Sequence, residues 1–102
     1  MHIITRRRLR EWGFQFPDAR TSLGAWYAVA KRARWNSIAE LRGDFPTADG
    51  VVVSSHKLVT VINIRGNNYR LIAAIHYNRK RVYLLRLLTH AEYDKGHWKG
   101  QL

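Results

Sequence analysis

Cysteine is absent from this chain, which removes disulfides, a thiolate nucleophile and cysteine-ligated zinc in one step. Acidic residues are scarce, with 7 Asp and Glu against 18 Lys and Arg. No apolar run approaches the ~20 residues of a membrane span. The opening MHIITRRRLREW has no long apolar stretch behind its charges, so it does not read as a secretory signal. The five histidines, at 2, 56, 76, 90 and 97, form no HxH or HExxH spacing. A P-loop, a GxGxxG loop and a serine elbow are also missing. No metal and no cofactor is therefore expected, and a cytoplasmic setting fits these absences. An enzyme built from this sequence would work with its own His, Tyr, Asp, Glu, Lys and Arg.

What is present is positive charge. The formal net charge is +11 over 102 residues. Solubility alone is satisfied by a magnitude of about 2–8 in a small domain. The excess points to a polyanionic partner: RNA, DNA, an acidic protein or an anionic membrane. Arg outnumbers Lys, and its planar fork grips phosphate with two bonds and stacks on bases. That favours nucleic acid. The length fits one compact domain, spanning residues 1–102, and the 46% hydrophobic content is ordinary for a folded one.

Along the chain the hydrophobic period changes once. Residues 1–4 read as a short edge strand. Thr5 is placed to cap a helix over RRRLREWGFQF, with Leu9, Trp12 and Phe16 on one face and the arginines outward. Pro17-Asp18 interrupts, and Asp18 is the expected cap of a second helix to about Arg34, striped by Leu23, Trp26, Tyr27, Ala30 and Ala33. Asn36 is the expected cap of a third helix, SIAELRG, with DFPTADG as a loop. From Val51 onward, VVVSS, KLVTVINI, YRLIAAIHY and RVYLLRLLT are β-rich, broken at RGNN (65–68) and NRKR (78–81). Val59, Val61, Ile64, Leu71, Ala73 and Ile75 are core candidates. Thr89 to about Gly96 reads as a last short helix. The expected fold is α+β: a small antiparallel sheet, two or three N-terminal helices on one face, and a short C-terminal helix.

Strand alternation sets Arg70, Ile72, Ala74 and His76 on one face of their strand, and groups Val82, Leu84, Arg86 and Leu88 on the next. In a hairpin turned at 78–81, Arg70 lies opposite residues 87–90. Arg70, Arg86 and the His90–Lys95 cluster can then meet at one edge, with Lys57 near. This set suits cleavage of an RNA phosphodiester by its own 2′-hydroxyl. Arg70 and Arg86 would stabilise the phosphorane. His90 or Tyr93 would move protons, which contributes roughly 10²–10⁴-fold. Tyr93 can instead stack on a base, and Asp94 can orient His90 or pair with Arg86. Lys57, Lys95, Arg79, Lys80 and Arg81 are candidates for phosphate contact. The bland reading is a solvated strand arginine and an ordinary helix start.

The opening MHIIT, the FPTADGV loop, the continuous block VTVINIRGNNYRLIAAIHYNRKRVYLLRLLTHAEYDKGHW with its GNNYRLI and THAEYDK pieces, and the total length resemble HigB-type toxins of the RelE/ParE-like toxin–antitoxin superfamily. The resemblance covers nearly the whole chain. It implies a RelE-like fold and a bacterial, metal-independent endonuclease that cuts mRNA on the ribosome. It also implies a HigA-type helix-turn-helix antitoxin, with promoter DNA bound only through that complex. By this resemblance Arg70 matches a phosphate-binding strand arginine, Arg86 a second basic residue and Tyr93 a C-terminal tyrosine. His90 and Lys95 sit in the THxEYDK motif. The paired lysines of several relatives are reduced here to Lys57. Arg6, Arg7, Arg8, Arg10, Lys31, Arg32 and Arg34 exceed what one scissile phosphate needs. They are candidates for contact with ribosomal RNA or with the antitoxin. Two other functions share the same basic face: a non-catalytic nucleic-acid-binding module or corepressor, and a ParE-like inhibitor of a protein such as gyrase.

Overall fold

The computed structural model describes residues 1–102. Strand β1 (His2–Ile4) leads into helix α1 (Arg7–Gln15), a 3₁₀ turn (Pro17–Ala19), α2 (Arg20–Arg32) and α3 (Ile38–Asp44). Strands β2 (Asp49–Val52), β3 (Leu58–Ile64), β4 (Tyr69–His76) and β5 (Arg81–Thr89) follow. Helix α4 (His90–Lys95) and a final 3₁₀ turn (His97–Gln101) end the chain. No helix is long and apolar enough to cross a membrane.

The four later strands form the expected antiparallel meander, in the order β5-β4-β3-β2. The sheet as a whole is mixed rather than antiparallel. Strand β1 adds to the free edge of β5 in parallel, pairing Ile3 with Val82. The three helices between β1 and β2 carry the chain over one sheet face. Leu23, Trp26 and Ala30 of α2 and Leu41 of α3 pack there on Ile62, Leu71, Ala73, Val82 and Leu84. Val59 and Val61 point the other way. With Val53, Ile72 and Leu88 they form a second, smaller cluster closed by Trp98 of the C-terminal turn. The sheet therefore has apolar contacts on both faces, and the C-terminal segment lies on the face opposite the long helices.

Three caps expected from the sequence are not caps. Thr5 precedes the true cap position and takes a left-handed φ of 62°, which turns the chain from β1 into α1. Asp18 lies inside the 3₁₀ turn, where its carboxylate accepts a 2.6 Å bond from the Tyr69 hydroxyl and a 3.2 Å bond from Arg65. That hydrogen bond, with burial second, pushes the Tyr69 phenol above its ordinary range and keeps it neutral. Ser37, not Asn36, caps α3 by accepting from the Glu40 amide, while Asn36 accepts from the Lys80 ammonium. Long-range partners claimed Asp18 and Asn36, a contest that local cap preference does not register. The cap of α4 is as the sequence suggests: Thr89 and Glu92 close a reciprocal capping box. Gly96, at φ 76°, ends that helix in the left-handed conformation.

Candidate active site

A β-bulge decides which way Arg86 faces. On β4 and β5, Ile72 pairs with Arg86 but Ala73 pairs with Leu84, so Leu85 is an extra residue. Val82 and Leu84 face the helices. Simple alternation would send Arg86 and Leu88 the same way. The bulge instead puts them on the opposite face, where Leu88 joins the second cluster. Arg86 is thereby one diagonal step from Arg70, whose own partner is Leu88. Such diagonal neighbours stand about 7–8 Å apart at their Cα atoms.

Arg8 supports this bulge. Strand β1 stops opposite Tyr83, so the outer edge of β5 has no strand partner beyond that point. Arg8 Nη1 donates to the Leu84 and Leu85 carbonyls at 2.9 and 2.8 Å. Arg86 Nη1 donates to the same Leu85 carbonyl at 2.8 Å. Arg8 is thus committed inside the fold and leaves the set of surface arginines. Its position four residues before Trp12, beside the apolar stripe of α1, was the available signal. Arg8→Ala leaves the two carbonyls without that donor and is expected to lose about 1–3 kcal/mol of stability, read by thermal unfolding. An unchanged midpoint would mean that water replaces the guanidinium at no cost.

Arg70 is 9% exposed and meets no carboxylate. Its guanidinium donates to the carbonyls of Asn67 and Tyr69 at 3.0 and 3.2 Å and to Asn67 Oδ1 at 3.2 Å. Nη2 stands 3.1 Å from His90 Nδ1. The ring of Tyr93 lies 5.5 Å from the guanidinium carbon. A buried cation held only by neutral acceptors keeps its charge uncompensated and available to an anion.

His90 and Asp94 complete a chain of contacts. Arginine has donors only, so His90 Nδ1 must accept and the ring hydrogen sits on Nε2. Nε2 stands 3.0 Å from Asp94 Oδ2, one helical turn along α4. Of the two expected partners for Asp94, the structure selects His90, not Arg86. Tyr93 stacks on Trp98 at 5.4 Å and 22°. The Trp98 indole N–H donates to the Tyr93 carbonyl at 3.1 Å. This fixes the ring, while the Tyr93 hydroxyl has no protein partner. Trp98 follows the last periodic segment of the sequence, so hydrophobic spacing gives it no place in the core.

The remaining candidates are dispersed. Lys95 lines a separate shallow pocket with Leu88, Glu92, His97 and Trp98. Lys57 is on the Arg70 face but beside His76, at the other end of the strands. His76 is six positions along β4 from Arg70, about 20 Å, so Lys57 is not near Arg70 as expected. Arg79, Lys80 and Arg81 sit at that same far end, in and after the β4–β5 turn. Lys80 is engaged by Asn36 and by the Tyr77 carbonyl. Arg6, Arg7 and Arg10 join Arg20 around a groove of about 410 Å³ between α1 and α2. Arg6 and Lys31 both approach the Tyr27 ring, at 5.1 and 5.6 Å. Arg32 and Arg34 are exposed near the end of α2. No group of three or more His, Asp or Glu side chains is placed to hold a metal ion.

The mixed five-stranded sheet backed by helices and followed by a short C-terminal helix is a RelE-like fold. The chain belongs to the HigB toxin family, the RelE-like toxic component of a toxin–antitoxin system, whose model matches residues 19–96. It is similar to an mRNA interferase HigB of Escherichia coli O6:H1, 33% identical over 93% of this chain and 90% of that protein. The mRNA interferase toxin HigB of Escherichia coli K12 is 27% identical over 92% of this chain and 88% of its own length. An mRNA interferase HigB of Shigella flexneri matches to the same extent.

Proposed function

We propose that this toxin is a ribosome-associated mRNA endonuclease of the bacterial cytoplasm, that it cuts by 2′-hydroxyl attack without a metal, and that a HigA-type antitoxin neutralises it. The observation that carries the reading is Arg70: buried, without a carboxylate, and joined through His90 to Asp94. An RNA phosphate is the anion that such a cation would accept. As the phosphate engages Arg70 and Arg86, the Arg70 contact to His90 Nδ1 is exchanged for one to the phosphate. The freed Nδ1 takes the 2′-hydroxyl proton while Asp94 holds the ring. The 2′-oxygen bonds to phosphorus, and the bond to the 5′-oxygen breaks. The Tyr93 hydroxyl gives that oxygen its proton. The products are a 2′,3′-cyclic phosphate and a 5′-hydroxyl, and the two arginines stabilise the charge that builds on the phosphorane.

A defined mRNA in the ribosomal A site, with purified toxin and EDTA present, tests this directly. Cleavage leaving a 2′,3′-cyclic phosphate is expected. No cutting by folded protein, with and without ribosomes, would sink the reading; a DNA-damage response in cells would favour a gyrase-type target instead.

The groove formed by Arg6, Arg7, Arg10 and Arg20, extended by Lys31, Arg32 and Arg34, supports contact with ribosomal RNA. These side chains have no acidic partner in the fold, and such contacts are salt-sensitive. Reversing Arg6, Arg7 and Arg10 to Glu is expected to weaken ribosome co-sedimentation about tenfold or more. Unchanged co-sedimentation with weaker antitoxin binding would assign the groove to the antitoxin. Promoter DNA is bound, on this reading, only through the toxin–antitoxin complex.

A further inference from the structure

The sheet face that carries Arg70 and Arg86 continues into a groove that none of the proposed chemistry uses. It has a volume of about 570 Å³ and is lined mainly by apolar side chains. Ala74, Val59, Leu85, the 64% exposed Leu58 and the terminal Leu102 line it, and no lining side chain is acidic. His76 and Tyr83 contribute an aromatic pair with ring centroids 5.1 Å apart. Their planes are tilted by 59°, and both rings line the groove. Lys57 and Ser55 supply a cation and a hydroxyl in the same groove.

We propose that this groove is a nucleobase subsite for the single-stranded RNA that passes the Arg70–Arg86 pair. This rests on the endonuclease reading and adds where a neighbouring base is read. The spacing supports it. Arg86 pairs with Ile72 and Tyr83 with Ala74, two residues further along β4. Two strand residues span about 7 Å, the length of one nucleotide in an extended chain. A base next to the gripped phosphate reaches the Tyr83 ring without bending the strand. Stacking on one aromatic ring contributes about 1–3 kcal/mol and accepts every base, while the groove's size and the Lys57 and Ser55 donors discriminate among them. Lys57 thereby acquires an RNA role remote from Arg70.

The toxin and a short single-stranded RNA, 2′-O-methylated to block cutting, provide the test. Tyr83→Ala is expected to weaken binding about tenfold, within the range of one lost stack, and Tyr83→Phe to restore it. Ala74→Met, which fills the groove floor, is expected to weaken binding similarly. On cleavable RNA both should change which bases flank the cut, with antitoxin affinity unchanged. If both variants bind and cut with the wild-type profile while wild type is active, the subsite is wrong and the endonuclease reading stands. If antitoxin affinity falls and RNA binding does not, a protein occupies the groove and the proposal is overturned. If wild type does not bind this RNA and cuts no mRNA with or without ribosomes, the endonuclease reading fails with it.

Discussion

Arg70→Ala is expected to lower the cleavage rate by at least about 10²–10³-fold, the loss typical of removing one preorganised donor from a developing oxyanion. Toxicity in cells should vanish with it. The loss should fall in kcat more than in KM, because the guanidinium meets the most charge in the transition state. The structure adds a cost. Arg70 supplies three hydrogen bonds to the β3–β4 turn and its own strand, so truncation leaves acceptors unpaired. A loss of about 1–3 kcal/mol follows. Arg70→Lys separates the two effects. It keeps the charge but not the fork, so it should recover part of the stability and little of the rate. If the folded alanine variant is as toxic as wild type, Arg70 is a turn-stabilising residue and the site lies elsewhere.

Trp98→Ala should be the most damaging change outside the main core. Trp98 is 3% exposed and closes the smaller apolar cluster over Val59, Val61, Ile72 and Leu88. Trp-to-Ala truncations in such settings cost about 3–5 kcal/mol. The side chain also stacks on Tyr93 and donates to its carbonyl. Its loss therefore frees the segment that presents His90 and Tyr93, and cleavage should fall by about tenfold or more even where the rest of the domain stays folded. Hydrogen exchange should accelerate across residues 90–101 before it does in β3 or β4. Trp98→Phe keeps the stack and should retain most of the activity. Equal melting points and equal cleavage in wild type and Trp98→Ala would refute the link between this cluster and the site.

Much of the fold was legible because its signals are local. The three-and-four spacing of Leu23, Trp26, Tyr27 and Ala30 marked α2, and the alternation of Tyr69 through His76 marked β4. The turn at 78–81 placed Arg70 opposite 87–90, and its partner is Leu88. Thr89 and Glu92 announced the helix that carries His90, Tyr93 and Asp94. The parts that were not legible depend on distant segments. Asp18 and Asn36 look like caps until Tyr69 and Lys80 arrive as better partners. Arg8 looks like one more surface arginine until β5 offers two carbonyls without a strand to pair them.

By itself, then, the sequence determined the helices, the meander, the excess of positive charge and the rung on which Arg70 stands, since each follows from periodicity, turn chemistry or composition within a short window. Tertiary structure alone decided the rest. One extra residue, Leu85, turned Arg86 onto the face of Arg70. Pairing across the sheet carried Lys57 to the far end of that face, and β1 closed the free edge of β5 in parallel. The reason is the period of two along a strand: a single inserted residue reverses every side chain beyond it, and only the partner strand reveals the insertion.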